Sequence, residues 1–142
     1  MKSWCDIKAE FDTDGSLRDI YIENISPEIW EGFINNVKAS EYRFEFSHGG
    51  EVIGLPSNLY QIKLLQETEP TTLRIWLNEE IQINCHFFEG SEIELDVSPK
   101  DITGEPEYQL LTSFLFWLHK TLNQRVILTH ENAQDQVILS VG

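Results

Sequence analysis

Residues 73–97 read LRIWLNEEIQINCHFFEGSEIELDV. Apolar and polar side chains alternate in three runs, 73–77, 81–87 and 93–97, separated by the short polar turns 78–80 and 89–91. A period of two puts successive side chains on opposite faces of a strand, and connections this short join antiparallel neighbours. Leu73, Ile75, Ile81, Ile83, Cys85, Phe87, Ile93, Leu95 and Val97 therefore share one face that a core must cover. The opposite, wet face presents Arg74 and Trp76, then Gln82, Asn84, His86 and Phe88, then Glu92, Glu94 and Asp96.

The same alternation extends upstream. Tyr42, Phe44 and Phe46 alternate with Arg43 and Glu45; His48-Gly49-Gly50 turns the chain; Val52-Ile53 and residues 59–65 read as further strands. Before them, Ser26-Pro27-Glu28 is a helix start, with a hydroxyl at the N-cap, proline at the first position and an acid in the first turn. Ile29, Trp30, Phe33, Ile34 and Val37 follow at helical spacing. Residues 3–11 and 17–23 flank Asp12-Thr13-Asp14-Gly15-Ser16 and read as an opening hairpin. The same turn mimics a calcium loop through Asp12, Asp14 and Glu23, but Leu17 stands where such a loop requires glycine.

Downstream, Pro106 opens a helix reaching about residue 123. Its apolar set (Leu110, Leu111, Phe114, Leu115, Phe116, Trp117, Leu118, Leu122) is too broad for a surface stripe and predicts a mostly covered helix. Residues 125–130 and 136–141 read as a last hairpin around 131–135. The sum is one α+β domain over residues 1–142, a mainly antiparallel meander sheet with two helices packed on one face.

At 142 residues, a domain buries roughly 68–70% of its unfolded surface, enough for a core without disulfide or metal. Cys5 and Cys85 lie far apart without a CxxC pattern and read as buried free thiols, which points to a reducing, cytoplasmic compartment. No secretory leader and no membrane-length apolar run is found.

Charge is the unusual quantity. Twenty-four acids oppose ten basic residues, a net charge of −14. Across residues 67–107, eleven acids face only Arg74 and Lys100. That balance excludes the basic footprint needed for nucleic acid or an anionic membrane, and it favours a basic protein partner.

No nucleophile elbow, zinc-protease, P-loop or dinucleotide motif occurs, so the reading assigns no catalytic residue, metal or cofactor. His86 and Cys85 are adjacent on a strand and point to opposite faces, which keeps one metal from taking both. Glu92, Glu94 and Asp96 form a charge row for which plain solvation is the simplest reading. Its functional reading is a protein-recognition surface made of Arg74, Trp76, Asn84, His86, Phe88, Glu92, Glu94 and Asp96.

The size, the charge, the acids of residues 89–107, and the closing Phe114-Leu115-Phe116-Trp117-Leu118 helix with its Val126-Ile127-Leu128-Thr129-His130-Glu131-Asn132 hairpin together carry a resemblance. The chain resembles the small acidic immunity proteins that bacteria use against secreted nuclease toxins. The resemblance implies a basic partner and no active residue. Two other classes stay open: a small-molecule binder with a cavity lined by Trp30, Tyr108, Phe114 and Trp117, and an enzyme assembled from scattered residues. A homodimer through an exposed edge near Trp76 or Phe88 is left open as well.

Overall fold

The computed structural model describes residues 1–142. In chain order the elements are α1 (Trp4–Ile7), a 3-10 turn (Lys8–Phe11), β1 (Arg18–Ile22), α2 (Pro27–Ala39), β2 (Arg43–His48), β3 (Glu51–Ile53) and α3 (Leu59–Gln66). Then follow β4 (Thr71–Trp76), β5 (Gln82–Cys85), β6 (Ile93–Val97), a 3-10 turn (Pro99–Asp101), α4 (Glu105–Leu122), β7 (Val126–His130) and β8 (Ala133–Val141). All eight strands form one sheet in the order β3-β2-β4-β5-β6-β1-β7-β8, with every pairing antiparallel. The α+β class stands.

The decisive stretch behaves as its period requires. Leu73 faces Cys85 across β4 and β5, Ile75 faces Ile83, and Ile83 faces Val97 across β5 and β6. These side chains join Ile20, Ile22 and Leu128, together with Trp30, Phe33, Ile62, Leu111 and Phe114 from the helices, in one core cluster of 32 buried residues. Burial of apolar surface on this scale is the main favourable term in folding.

Strand order departs from a simple meander. Only β4, β5 and β6 run side by side as a sequential trio, while β1 inserts between β6 and β7. All five residues of Arg18–Ile22 are buried because both faces of the strand are covered: Arg18 donates to the Glu10 and Asp12 carbonyls on one side, and Asp19 accepts from the Asn132 amide of the last turn on the other.

Two expected strands are helical. Residues 3–11, expected as half of a hairpin, form α1 and a 3-10 turn because Trp4, Ile7 and Phe11 recur at helical spacing and turn one side inward. Residues 59–65 form α3. Its N-cap Asn58 accepts a hydrogen bond from the Gln61 amide at 3.0 Å, and Leu59, Ile62 and Leu65 lie along the covered side. The structure thus has four α-helices where two were expected.

Helix α4 is one-sided rather than covered all round. Tyr108, Leu111, Phe114, Leu115, Leu118 and Leu122 are buried, but Leu110 and Phe116 face outward. It ends on Asn123, whose φ of 53° lies in the left-handed region. Asparagine tolerates that conformation and a β-branched residue does not. Asn123 is exposed, so its backbone preference can be tested with little interference from packing. Asn123→Gly is expected to leave the melting temperature unchanged or raise it, and Asn123→Val to cost about 1–2 kcal/mol in thermal unfolding.

The last hairpin turns earlier than expected, at Glu131 and Asn132 rather than over 131–135, and β8 begins at Ala133. Register shifts at Leu128/Thr129 and Thr129/His130 bend the pair. No helix is long and apolar enough to cross a membrane. Both cysteines are free; Cys85 is buried as expected, but Cys5 is exposed because it falls on the outer side of α1.

Candidate functional site

A continuous row of polar side chains crosses the sheet opposite the core. Glu45 faces Arg74, Arg74 faces Asn84, Asn84 faces Asp96, Asp96 faces Asp19, and Asp19 faces Thr129. The row spans six strands, from β2 to β7. Strand parity places these residues on one side, and the antiparallel register brings them shoulder to shoulder.

The row is hydrogen-bonded along its length. Gln82 donates to the Asn84 carbonyl oxygen at 2.6 Å, and the Asn84 amide donates to Asp96 at 2.9 Å. His86 Nε2 lies 3.5 Å from the second Asp96 oxygen. The Asp96 side chain is only 13% exposed, so this acid is held by its neighbours more than it faces water. Glu92 accepts from Gln134 at 3.3 Å, and the same amide donates to Glu23 at 2.9 Å. The start of β8 therefore leans over the acidic end of the row.

At the other end the contacts are cationic and aromatic. The Arg43 guanidinium lies 4.2 Å from the Trp76 ring centroid. Trp76 is half-buried. The Arg74 guanidinium donates to the Ser47 hydroxyl at 3.2 Å and comes within 4.0 Å of Glu45.

Phe88 is the predicted site residue farthest from a strand, and His86 and Glu92 also lie just outside β5 and β6. The strand expected at 81–87 ends at Cys85, and Phe87 takes a φ of 60°, unusual for a bulky residue. Side chains of α3 hold that turn: the Lys63 ammonium donates to the Phe87 carbonyl at 2.6 Å and to the Phe88 carbonyl at 3.1 Å, and Gln66 donates to the His86 carbonyl at 3.1 Å. Phe87 stays in the core against Trp30 and Phe46. Phe88 is 61% exposed and stacks on the His86 ring at 5.2 Å.

No family model, curated protein or solved structure matches the chain.

The eight predicted site residues thus fall into an acidic end (Glu92, Glu94, Asp96), a polar centre (Asn84, His86 with Phe88) and a cationic end (Arg74, Trp76). Arg43, Asp19 and Tyr21 also belong to this surface and were missed. Arg43 and Asp19 alternate with core residues on their own strands, a signal legible by parity. What could not be read was that β1 lies beside β6. Tyr21 stands opposite Glu94 in that register, and its hydroxyl donates to Asp19 at 3.1 Å. Burial pushes the Tyr21 phenol far above its ordinary range, with the neighbouring Glu94 and Asp19 adding to the shift.

Asp19 is the most desolvated acid of the row, and it also accepts from the Asn132 amide at 2.8 Å. Burial raises its carboxyl above the ordinary value, against the lowering effect of these two hydrogen bonds. The folded state therefore binds the proton more tightly than the unfolded chain. The stability contributed by the protonated form is fully present below pH 3.8 and is lost as pH rises through the raised value. Asp19→Asn, which keeps an acceptor for Asn132, is expected to be more stable than the native chain at pH 7. In urea unfolding the gap should close as pH falls towards 4; equal stability at pH 7 would contradict this account.

The four residues considered for a cavity do not converge on one. Trp30 packs against Phe33 and Phe87, Tyr108 against Trp4 and Phe11, and Phe114 stacks on Trp117. Trp30, Tyr108 and Phe114 are all buried core. No group of three or more histidine, cysteine or acidic side chains is arranged to hold a metal ion.

Proposed function

We propose that this chain is a non-catalytic binding protein that holds a basic protein partner against the polar side of its sheet. The mode is that of the small acidic immunity proteins with which bacteria neutralise secreted nuclease toxins, acting in a reducing cytoplasm. One observation supports the reading: a six-strand polar row whose β6 end presents the half-buried Glu92, Glu94 and Asp96, with the buried Asp19 adding its field beneath them. Helices α2, α3 and α4 send their apolar side chains into the core, while Arg74, Asn84, Glu92, Glu94 and Phe88 keep part of their surface open to a partner. Phe88 and the Arg43–Trp76 pair supply apolar area beside the charges, the mixture found at protein interfaces.

A net charge of −14 steers a basic partner toward this surface and raises the encounter rate by roughly 10 to 1,000-fold at low salt. Binding should therefore weaken as salt rises. The deciding experiment is charge reversal at Glu92 and Glu94. The double variant Glu92→Lys/Glu94→Lys should lose most of its affinity for a basic probe while keeping its fold.

A further inference from the structure

The polar side of the sheet is not uniformly acidic. Its β6–β1 half carries Glu94, Asp96 and Asp19, whereas its β2–β4 half carries Arg43 and Arg74, two of only ten basic residues in the chain, against the single carboxylate Glu45. Arg74 donates to the Ser47 hydroxyl at 3.2 Å, but neither arginine has a close carboxylate partner within the molecule. Arg43 is exposed and rests on an indole with no carboxylate partner, and Arg74 reaches Glu45 only at 4.0 Å with 33% of its side chain open. A guanidinium stacked on an aromatic ring keeps its in-plane N–H donors free for a planar, bidentate acceptor.

We infer that this end of the surface receives a carboxylate of the same basic partner, so that the partner is recognised by two patches of opposite sign. The inference rests on the binding reading above and adds what that reading lacks, an orientation. Arg74 and Asp96 stand two strands apart, each opposite Asn84. Two inter-strand spacings amount to about 10 Å. The partner's carboxylate therefore stands about 10 Å from its basic cluster. A second copy of this chain carries the same two-signed pattern, but each copy brings −14, and that field opposes their approach. A basic partner meets no such barrier.

Two synthetic peptides, both amidated at the C-terminus, test the inference. One is hexa-arginine, a spacer of four glycines and two glutamates; the other ends in two glutamines instead. The spacer reaches at most about 13 Å, enough to span the two halves. Titration calorimetry should show the glutamate peptide binding the native chain at least three-fold more tightly, although it is the less positive of the two. That preference should vanish in Arg43→Gln/Arg74→Gln.

Simple attraction to a −14 protein predicts the reverse order. Equal affinity, tighter binding of the glutamine peptide, or a preference that survives in the arginine variant would each overturn the inference. Glu92→Lys/Glu94→Lys tells its failure apart from that of the binding reading. If the reversal weakens both peptides but no glutamate preference exists, the inference alone is lost. If neither peptide binds, or the reversal weakens neither, the binding reading falls and the inference falls with it.

Discussion

Trp30→Ala is expected to lower stability by about 3–5 kcal/mol and the melting temperature by about 10–20 °C. Trp30 is the largest fully buried side chain. Its ring meets Phe33 edge-on at 6.0 Å and Phe87 at 5.5 Å, and its indole N–H donates to the Gly90 carbonyl at 3.0 Å. Truncation leaves a cavity between α2 and the β5–β6 turn and removes the hydrogen bond that ties that exposed turn to the core. Against a typical total of about 5–15 kcal/mol, that loss is a large share of the folding free energy.

Trp30→Phe keeps most of the apolar volume and loses mainly the hydrogen bond, so it should cost about 1–3 kcal/mol. Denaturant unfolding of both variants checks the ranking. A cost below about 1 kcal/mol for the alanine variant would mean that the ring is not packed as described. The contact also bears on function, because the segment it anchors runs directly into Glu92 and β6.

Glu92→Lys/Glu94→Lys should weaken binding of the glutamine-ended hexa-arginine peptide by ten-fold or more at low salt, mainly through a slower association rate. Two attractive charges become repulsive at the acidic end of the row, and the dependence of affinity on salt should flatten. Glu28→Lys/Glu31→Lys makes the same change in net charge on exposed positions of α2, whose apolar side faces the core. This control should lose less than about three-fold, because its charges act through solvent at a distance.

Glu92 accepts from Gln134 and Glu94 lies beside Tyr21, so lysine at these positions also removes acceptors. Glu92→Gln/Glu94→Gln retains acceptors and should show an intermediate loss. Melting curves of all three variants report whether the fold is intact. Equal losses at α2 and at β6 would mean that the peptide senses net charge rather than this surface.

Local pattern carried much of the site. Side-chain parity alone put Arg74, Trp76, Asn84, Glu94 and Asp96 opposite the core, because the strand period is two whatever the strand's neighbours are, and His86 and Glu92 flank the strand ends on the same side. Parity failed where the backbone left the strand. Phe87 turns to positive φ, and the donors that hold it come from α3, a segment whose own helical spacing was mistaken for a strand. The short opening helix was missed for a related reason: Trp4, Ile7 and Phe11 span too few residues for the two periods to be told apart.

By itself the sequence determined the α+β class, the acidity, and which residues of β4, β5 and β6 face away from the core. These are local properties, set by composition and by the geometry of each residue and its near neighbours. Tertiary structure alone decided that β1 lies between β6 and β7, which brings Asp19 against Asp96 and Tyr21 against Glu94. It alone decided that β2 lies beside β4, which sets Arg43 over Trp76 and gives the surface its cationic end. Strand pairing across long stretches of chain follows from how the whole core closes, and no local period encodes it.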